Sequence, residues 1–243
     1  MISPNNLANF LDQYLNTAIY PNEPPTVRHH FGRSVTRLGI ALEPWPGLLG
    51  WVKDAALDAL FLHRPNKLEG LTLPDEVGLV ASCLPFEERL GLGFNPRLAD
   101  ALGMVSLQPL GYRKERPLGM IGDVPPQTVS AFYKSVSETF GGREEARTCE
   151  RDVVTRVAVV SAMNAELMRE ASIRGAQVYI TSQMRQPARE AIVDTGLGVI
   201  VVGHRRSEEW ALRALAHVLR ERFALLTVVL PPRRSAAEVP ATP

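Results

Sequence analysis

The sequence predicts an α/β fold of two lobes, with largely parallel sheets covered by helices, and three observations carry that prediction. Short apolar runs alternate with helix-spaced segments along most of the chain, which is the rhythm of βαβ units. The runs in the second half are apolar at nearly every position, as strands buried on both faces must be. With 243 residues, 45% of them hydrophobic and 22% charged, the chain is long enough to bury a real core.

The elements follow in order. Leu7, Phe10, Leu11, Tyr14 and Leu15 recur at helical spacing, and the same segment lacks the basic start and continuous apolar run of a signal peptide. After a Pro/Asn-rich link at residues 21–32, strands are expected at 36–42, 58–62, 77–82 and 104–108. Leu48, Leu49, Val52, Ala55 and Ala56 mark a helix between the first two. Before the last, Asn95 is the expected N-cap, Pro96 the first helical residue and Gly103 the stop.

Residues 109–152 read as less regular: a Gly/Pro-rich connection, a helix near 127–142 and a charged loop at 143–152. The rhythm then resumes, with a strand at 154–162, a helix capped by Asn164, a strand at 176–181 and a helix stopped by Gly196. A third strand at 197–203, a helix at 207–223 carrying Ala211, Leu212, Leu215, Val218, Leu219 and Phe223, and a fourth strand at 224–230 complete it. The expected lobes are 1–115 and 116–232, followed by a disordered tail at 233–243.

A formal net charge of +1 gives no support to nucleic acid as a partner, and local basic clusters such as Arg113, Lys114 and Arg116 suit solvated loops. Only two cysteines, Cys83 and Cys149, occur, far apart, which argues against a disulfide framework or a thiolate zinc finger and fits a reducing cytoplasm. No run approaches the roughly 18 to 20 apolar residues that span a membrane.

In open α/β sheets ligands gather at the carboxyl ends of the strands, so the residues after each apolar run matter most. His63-Arg64-Pro65 follow one run, Cys83 to Glu88 the next, and His204 and Glu208 a third. A spacing of four puts His204 and Glu208 on one face of a helix start, close enough to share an ion, and Cys83 and Glu87 repeat that spacing. Imidazole and carboxylate donors suit Zn²⁺, Mn²⁺ or Fe²⁺, and a thiolate from Cys83 would favour zinc. The plainer reading stands beside it: strand-end histidines are often merely hydrogen-bonded, Glu208 in a first turn is favoured by the helix dipole alone, and Cys83 suits a small buried hydrophobe. His29 and His30 lack a carboxylate cluster, His217 reads as a helix-face residue, and no phosphate-binding glycine loop is present. Ser82, Ser161 and Ser182 also fall near strand ends, without assembling a nucleophilic triad.

Taken in order, DALFLHRP, ASCLPFE, GFNPRLADALGM, GAQVYITSQ and VVGHRRSEEW resemble the motifs of the GTP cyclohydrolase I type 2 homologues, or Nif-three-like proteins. That resemblance implies two α/β lobes, a dinuclear metal site and a ring-shaped homohexamer. It carries the ligand role to His63, Glu87 (in place of the family's aspartate), His204 and Glu208. Departures from the pattern are Arg64 for the second histidine of HHP, Cys83 for the histidine of HTxLD, and Ser182-Gln183 where the family has Gly-Glu. Two lost imidazoles and a fixed guanidinium charge imply one divalent ion rather than two, or none, or an anion such as phosphate held by Arg64. Two functions follow: a metal-dependent hydrolase of a small phosphorylated or nucleotide-like substrate, or a non-catalytic ring-forming assembly or regulatory protein with a partly lost site.

Overall fold

Two sheets organise the chain, and the residues of each explain its cover. The structure, a computed structural model, describes residues 2–29, 33–68, 72–161 and 164–232, so His30 and the expected tail at 233–243 lie outside the described residues. Two compact units result: Met1–Tyr14, Asn22–Cys83 and Ala216–Pro243 form the first, and Leu15–Pro21 with Leu84–Leu215 the second. Residues 84–115 cluster with the second unit, where Leu98, Ala99, Leu102 and Met104 pack in the core of the second sheet.

The first unit opens with α1 (Pro4–Leu15) and holds strands β1 (Val27–His29), β2 (Arg37–Ala41), β3 (Ala59–Leu62) and β4 (Gly78–Ala81), with α2 (Leu48–Asp54) between β2 and β3. The sheet order is β1-β4-β3-β2-β11, where β11 is Thr227–Val229, the fourth strand expected near the C-terminus. β2, β3, β4 and β11 run parallel, and β1, inside the expected link, adds an antiparallel edge. Leu48 and Val52 of α2 pack on Leu60 and Leu62 of β3. Gly39 permits this approach, because a Cβ there would lie 2.4 Å from Leu57 Cδ1 and 2.8 Å from Trp51. Phe10 of α1 meets Phe223 edge to face at 5.2 Å.

The second unit begins with α3 (Leu84–Leu90) and α4 (Pro96–Ala101). Asn95 caps α4 as expected, accepting from the Leu98 amide at 3.3 Å, and its side-chain amide donates to the Leu90 carbonyl at 2.8 Å. The segment expected to be irregular contains β5 (Val105–Arg113) and β6 (Arg116–Thr128), a long antiparallel hairpin, then α5 (Val129–Phe140) and, within the expected charged loop, β7 (Glu145–Arg147). Strand signals were hidden by proline: Pro109 sits on the edge strand β5, and a register shift between Asp123 and Gln127 absorbs Pro125 and Pro126.

β8 (Val153–Val160), α6 (Ala165–Ile173), β9 (Val178–Thr181), α7 (Arg189–Thr195), β10 (Gly198–Val201) and α8 (His204–Arg222) follow the expected order. The sheet reads β5-β6-β8-β9-β10-β7, parallel only across β8-β9-β10. Alternate residues enter opposite cores: Val157, Val159, Val178 and Ile180 pack with Phe132 and Val136 of α5, while Ala158, Val160 and Tyr179 pack with Met168, Ala171 and Ala191 of α6 and α7.

Candidate functional site

In the first unit, polar side chains collect where three parallel strands end. Backbone pairing continues past β2 and β3, with the His63 amide donating to the Ala41 carbonyl at 3.2 Å and the Arg64 amide to the Leu42 carbonyl at 2.7 Å. Glu43, His63 and Arg64 are thereby held beside one another, and Ser82 follows β4. His63 is 1% exposed, and its Nδ1 lies 3.2 Å from the Ser82 carbonyl oxygen. A carbonyl can only accept, so Nδ1 carries a proton, which leaves Nε2 as the nitrogen able to ligate a metal, as in an imidazole ligand with a supporting carbonyl. Arg64 Nε stands 3.5 Å from Glu43 Oε2, and Glu43 is 5% exposed. Among the described residues the buried Ser82 hydroxyl has no hydrogen-bond partner, and Cys83 is half-buried and outside any disulfide.

In the second unit, β10 ends at Val201, opposite Thr181 of β9, and two residues later the backbone turns into α8. Gly203 makes that turn at φ +95°, a left-handed conformation that an L side chain resists. Ser207 closes the first turn, its hydroxyl donating to the His204 carbonyl at 2.7 Å and its amide to the Gly203 carbonyl at 3.1 Å. His204 Nε2 and Glu208 Oε1 then meet at 3.0 Å, with the Glu208 side chain 4% exposed and that of His204 38%. Glu87, on α3, accepts a hydrogen bond from the Ser161 hydroxyl at 3.3 Å. The Ser161 carbonyl in turn accepts from Ser182 Oγ at 2.8 Å and Thr181 Oγ1 at 3.3 Å.

The expected ligands therefore divide between the units: His63 and Cys83 in the first, Glu87, His204 and Glu208 in the second. Among the described residues, no three His, Cys, Asp or Glu side chains are grouped as ligands of one ion. The fit to a metal is partial: the carbonyl-anchored imidazole of His63 and the buried Glu208 carboxylate beside an imidazole suit a divalent ion, while Arg64 brings a donor that cannot ligate. Glu43 escaped the sequence reading although it lies two residues past the end of a buried strand; the rule that selected His63 and His204 selects it too.

The model of the Duf34/NIF3 (NGG1p interacting factor 3) family matches residues 64–233. The chain belongs to this family. A relative named GTP cyclohydrolase 1 type 2 homolog from Pyrococcus abyssi is 24% identical over 242 residues, spanning 92% of this chain and 96% of that one. Among solved structures, ybgI, a protein of unknown function, superposes with a TM-score of 0.77 at 21% identity, over 96% of this chain and 99% of its own. TTHA1606 from Thermus thermophilus gives 0.73 at 22% identity, over 97% and 100% of the two chains. At such identities the structural likeness establishes the two-sheet NIF3 fold. The family match includes Arg64 and the whole His204 to Glu208 segment. No described helix is long and apolar enough to cross a membrane.

Proposed function

We propose that this NIF3 family member binds one divalent metal ion, Zn²⁺, Mn²⁺ or Fe²⁺, and serves as a divergent metal-dependent hydrolase of a small phosphorylated or nucleotide-like substrate. The observation that carries the reading is the contact of His204 Nε2 with the buried Glu208 carboxylate at 3.0 Å, at the carboxyl end of a parallel strand. Ligand roles are assigned to His204 and Glu208, and by the motif resemblance to His63 and Glu87. A bound ion would supply Lewis acidity and a water that ionises near neutral pH. The chain's own contribution is orientation. The Ser82 carbonyl fixes the His63 ring, the Ser161 hydroxyl steadies Glu87, and Gly203 sets the angle at which His204 leaves the sheet.

Elemental analysis after metal loading tests this. The wild type is expected to hold about one ion per chain, with His204→Ala and Glu208→Gln losing most of it, at a cost of roughly 10- to 100-fold or more in affinity per ligand lost. A wild type with no stoichiometric transition metal would overturn the reading. Metal-dependent turnover of phosphate esters, abolished in His204→Ala, is the accompanying activity test.

The pairing of Glu43 with Arg64 favours a second reading, a non-catalytic assembly protein with a partly lost site. It gains if metal is bound without turnover and light scattering shows a closed homo-oligomer, for which the resemblance suggests a hexameric ring.

A further inference from the structure

The first unit contains a buried acid that the ligand assignment does not use. Glu43 lies two residues past the end of β2 and is 5% exposed, so its carboxylate, when ionised, has lost most of the water that would solvate it and needs a counter-charge held close. The neighbouring strand supplies one, with Arg64 Nε 3.5 Å from Glu43 Oε2. The alignment is imposed by the backbone rather than by chance rotamers, since the Arg64 amide bonds to the Leu42 carbonyl at 2.7 Å. Parallel register therefore carries the two side chains out of the sheet next to each other.

Unlike an imidazole ligand, a guanidinium keeps its charge at every pH the fold survives and offers no lone pair to a metal; unlike a metal ion, it cannot dissociate. His63, immediately before it, keeps the ligand-type orientation, its Nδ1 on the Ser82 carbonyl at 3.2 Å. The first unit thus has an imidazole and a carboxylate, both donor types suited to an ion, and beside the carboxylate stands a residue that cannot ligate one.

We propose that the Glu43–Arg64 pair is a tethered cation site: the arginine permanently holds the charge position that a second, dissociable metal ion would need, and Glu43 is the acid that keeps it there. The metal-binding reading above is assumed only in the choice of ion; the pairing is independent of it. Replacing Arg64 by histidine sets an imidazole beside the Glu43 carboxylate, next in sequence to His63, so the strand ends carry the donor types an ion takes.

Two measurements test this. In the first, wild type, Arg64→His and Arg64→His/Glu43→Gln are loaded with Zn²⁺, freed of excess and analysed for metal. One more ion per chain than wild type is expected in Arg64→His, and loss of that extra ion in the double variant. In the second, Arg64→Met is expected to lower Tm by about 5–10 °C by removing the guanidinium that faces the Glu43 carboxylate, and Glu43→Gln in that background to restore at least half of the loss. An unchanged ion count in folded Arg64→His, or Tm shifts of Arg64→Met and Glu43→Gln that merely add, overturns the proposal. Failure of the metal-binding reading is separately visible as a wild type that takes up no ion while the thermal cycle still shows coupling.

Discussion

At the scale of single residues, Asp58 shows how much one carboxylate can organise. Its Oδ2 accepts from the Thr36 amide at 2.8 Å, the Thr36 hydroxyl at 2.7 Å and the Arg37 amide at 2.9 Å, and Arg33 lies 2.7 Å from Oδ1. Burial works to raise the pKa of this carboxyl, but the bonds from Thr36 and Arg37 and the Arg33 charge outweigh it and hold the pKa below its ordinary value. A depressed folded-state pKa contributes stability above the ordinary carboxylate range and loses it as pH falls toward the folded value. Asp58→Asn is therefore expected to cost about 1–3 kcal/mol near neutral pH, with the gap to wild type closing below about pH 4 in urea titrations. Gly203 is a second such residue. Its φ of +95° makes Gly203→Ala cost about 1–2 kcal/mol whether or not the exposed Glu144 side chain moves aside, measurable as a lowered Tm with weakened metal uptake. His63, His204 and Glu208 were legible as polar residues after apolar runs. That His63 is a buried ring oriented by a carbonyl, and that Glu43 answers Arg64, was not, because both depend on which strands lie side by side.

Among the elements, the β5–β6 hairpin is the clearest departure from the sequence reading. By sequence Arg116 belongs to a solvated basic cluster with Arg113 and Lys114. In the fold it leaves the turn and binds Glu88 through both carboxylate oxygens at 2.9 and 3.0 Å, while its guanidinium stacks 4.5 Å from the Tyr20 ring centroid. Tyr20 completes the set by donating to Glu88 at 2.9 Å, and burial first, then the neighbouring carboxylate, pushes the phenol pKa well up. Arg116→Ala should destabilise by about 2–4 kcal/mol in denaturant unfolding, and Arg116→Ala/Glu88→Ala by less than the sum of the two single changes. Helices capped by Asn95 and Asn164 and stopped by Gly196 were legible because capping is local chemistry. The hairpin was not, because its prolines and glycines argue locally for a loop, and only pairing with β8 makes strands of them.

For the molecule as a whole, the chain order of the elements differs from their grouping. β11, the last described strand, pairs with β2 rather than with the strands that precede it, the Thr227 amide donating to the Thr36 carbonyl at 2.8 Å and Val228 lying buried. A chain ending at Phe223 is expected to lose hydrogen-exchange protection at the amides of β2 and β3 while β8, β9 and β10 stay protected; equal loss in both sheets would contradict the division into two units. By itself the sequence determined the α/β class, the run of helices and parallel strands, the caps and the strand-end positions of the polar residues. All of these follow from hydrophobic period and local backbone chemistry, which act over a few residues. Only the tertiary structure decided which sheet each strand joins, that prolines lie within strands, and that Arg64 faces a buried Glu43. Those outcomes rest on pairing between segments distant in sequence, where burial, not local propensity, sets the energy.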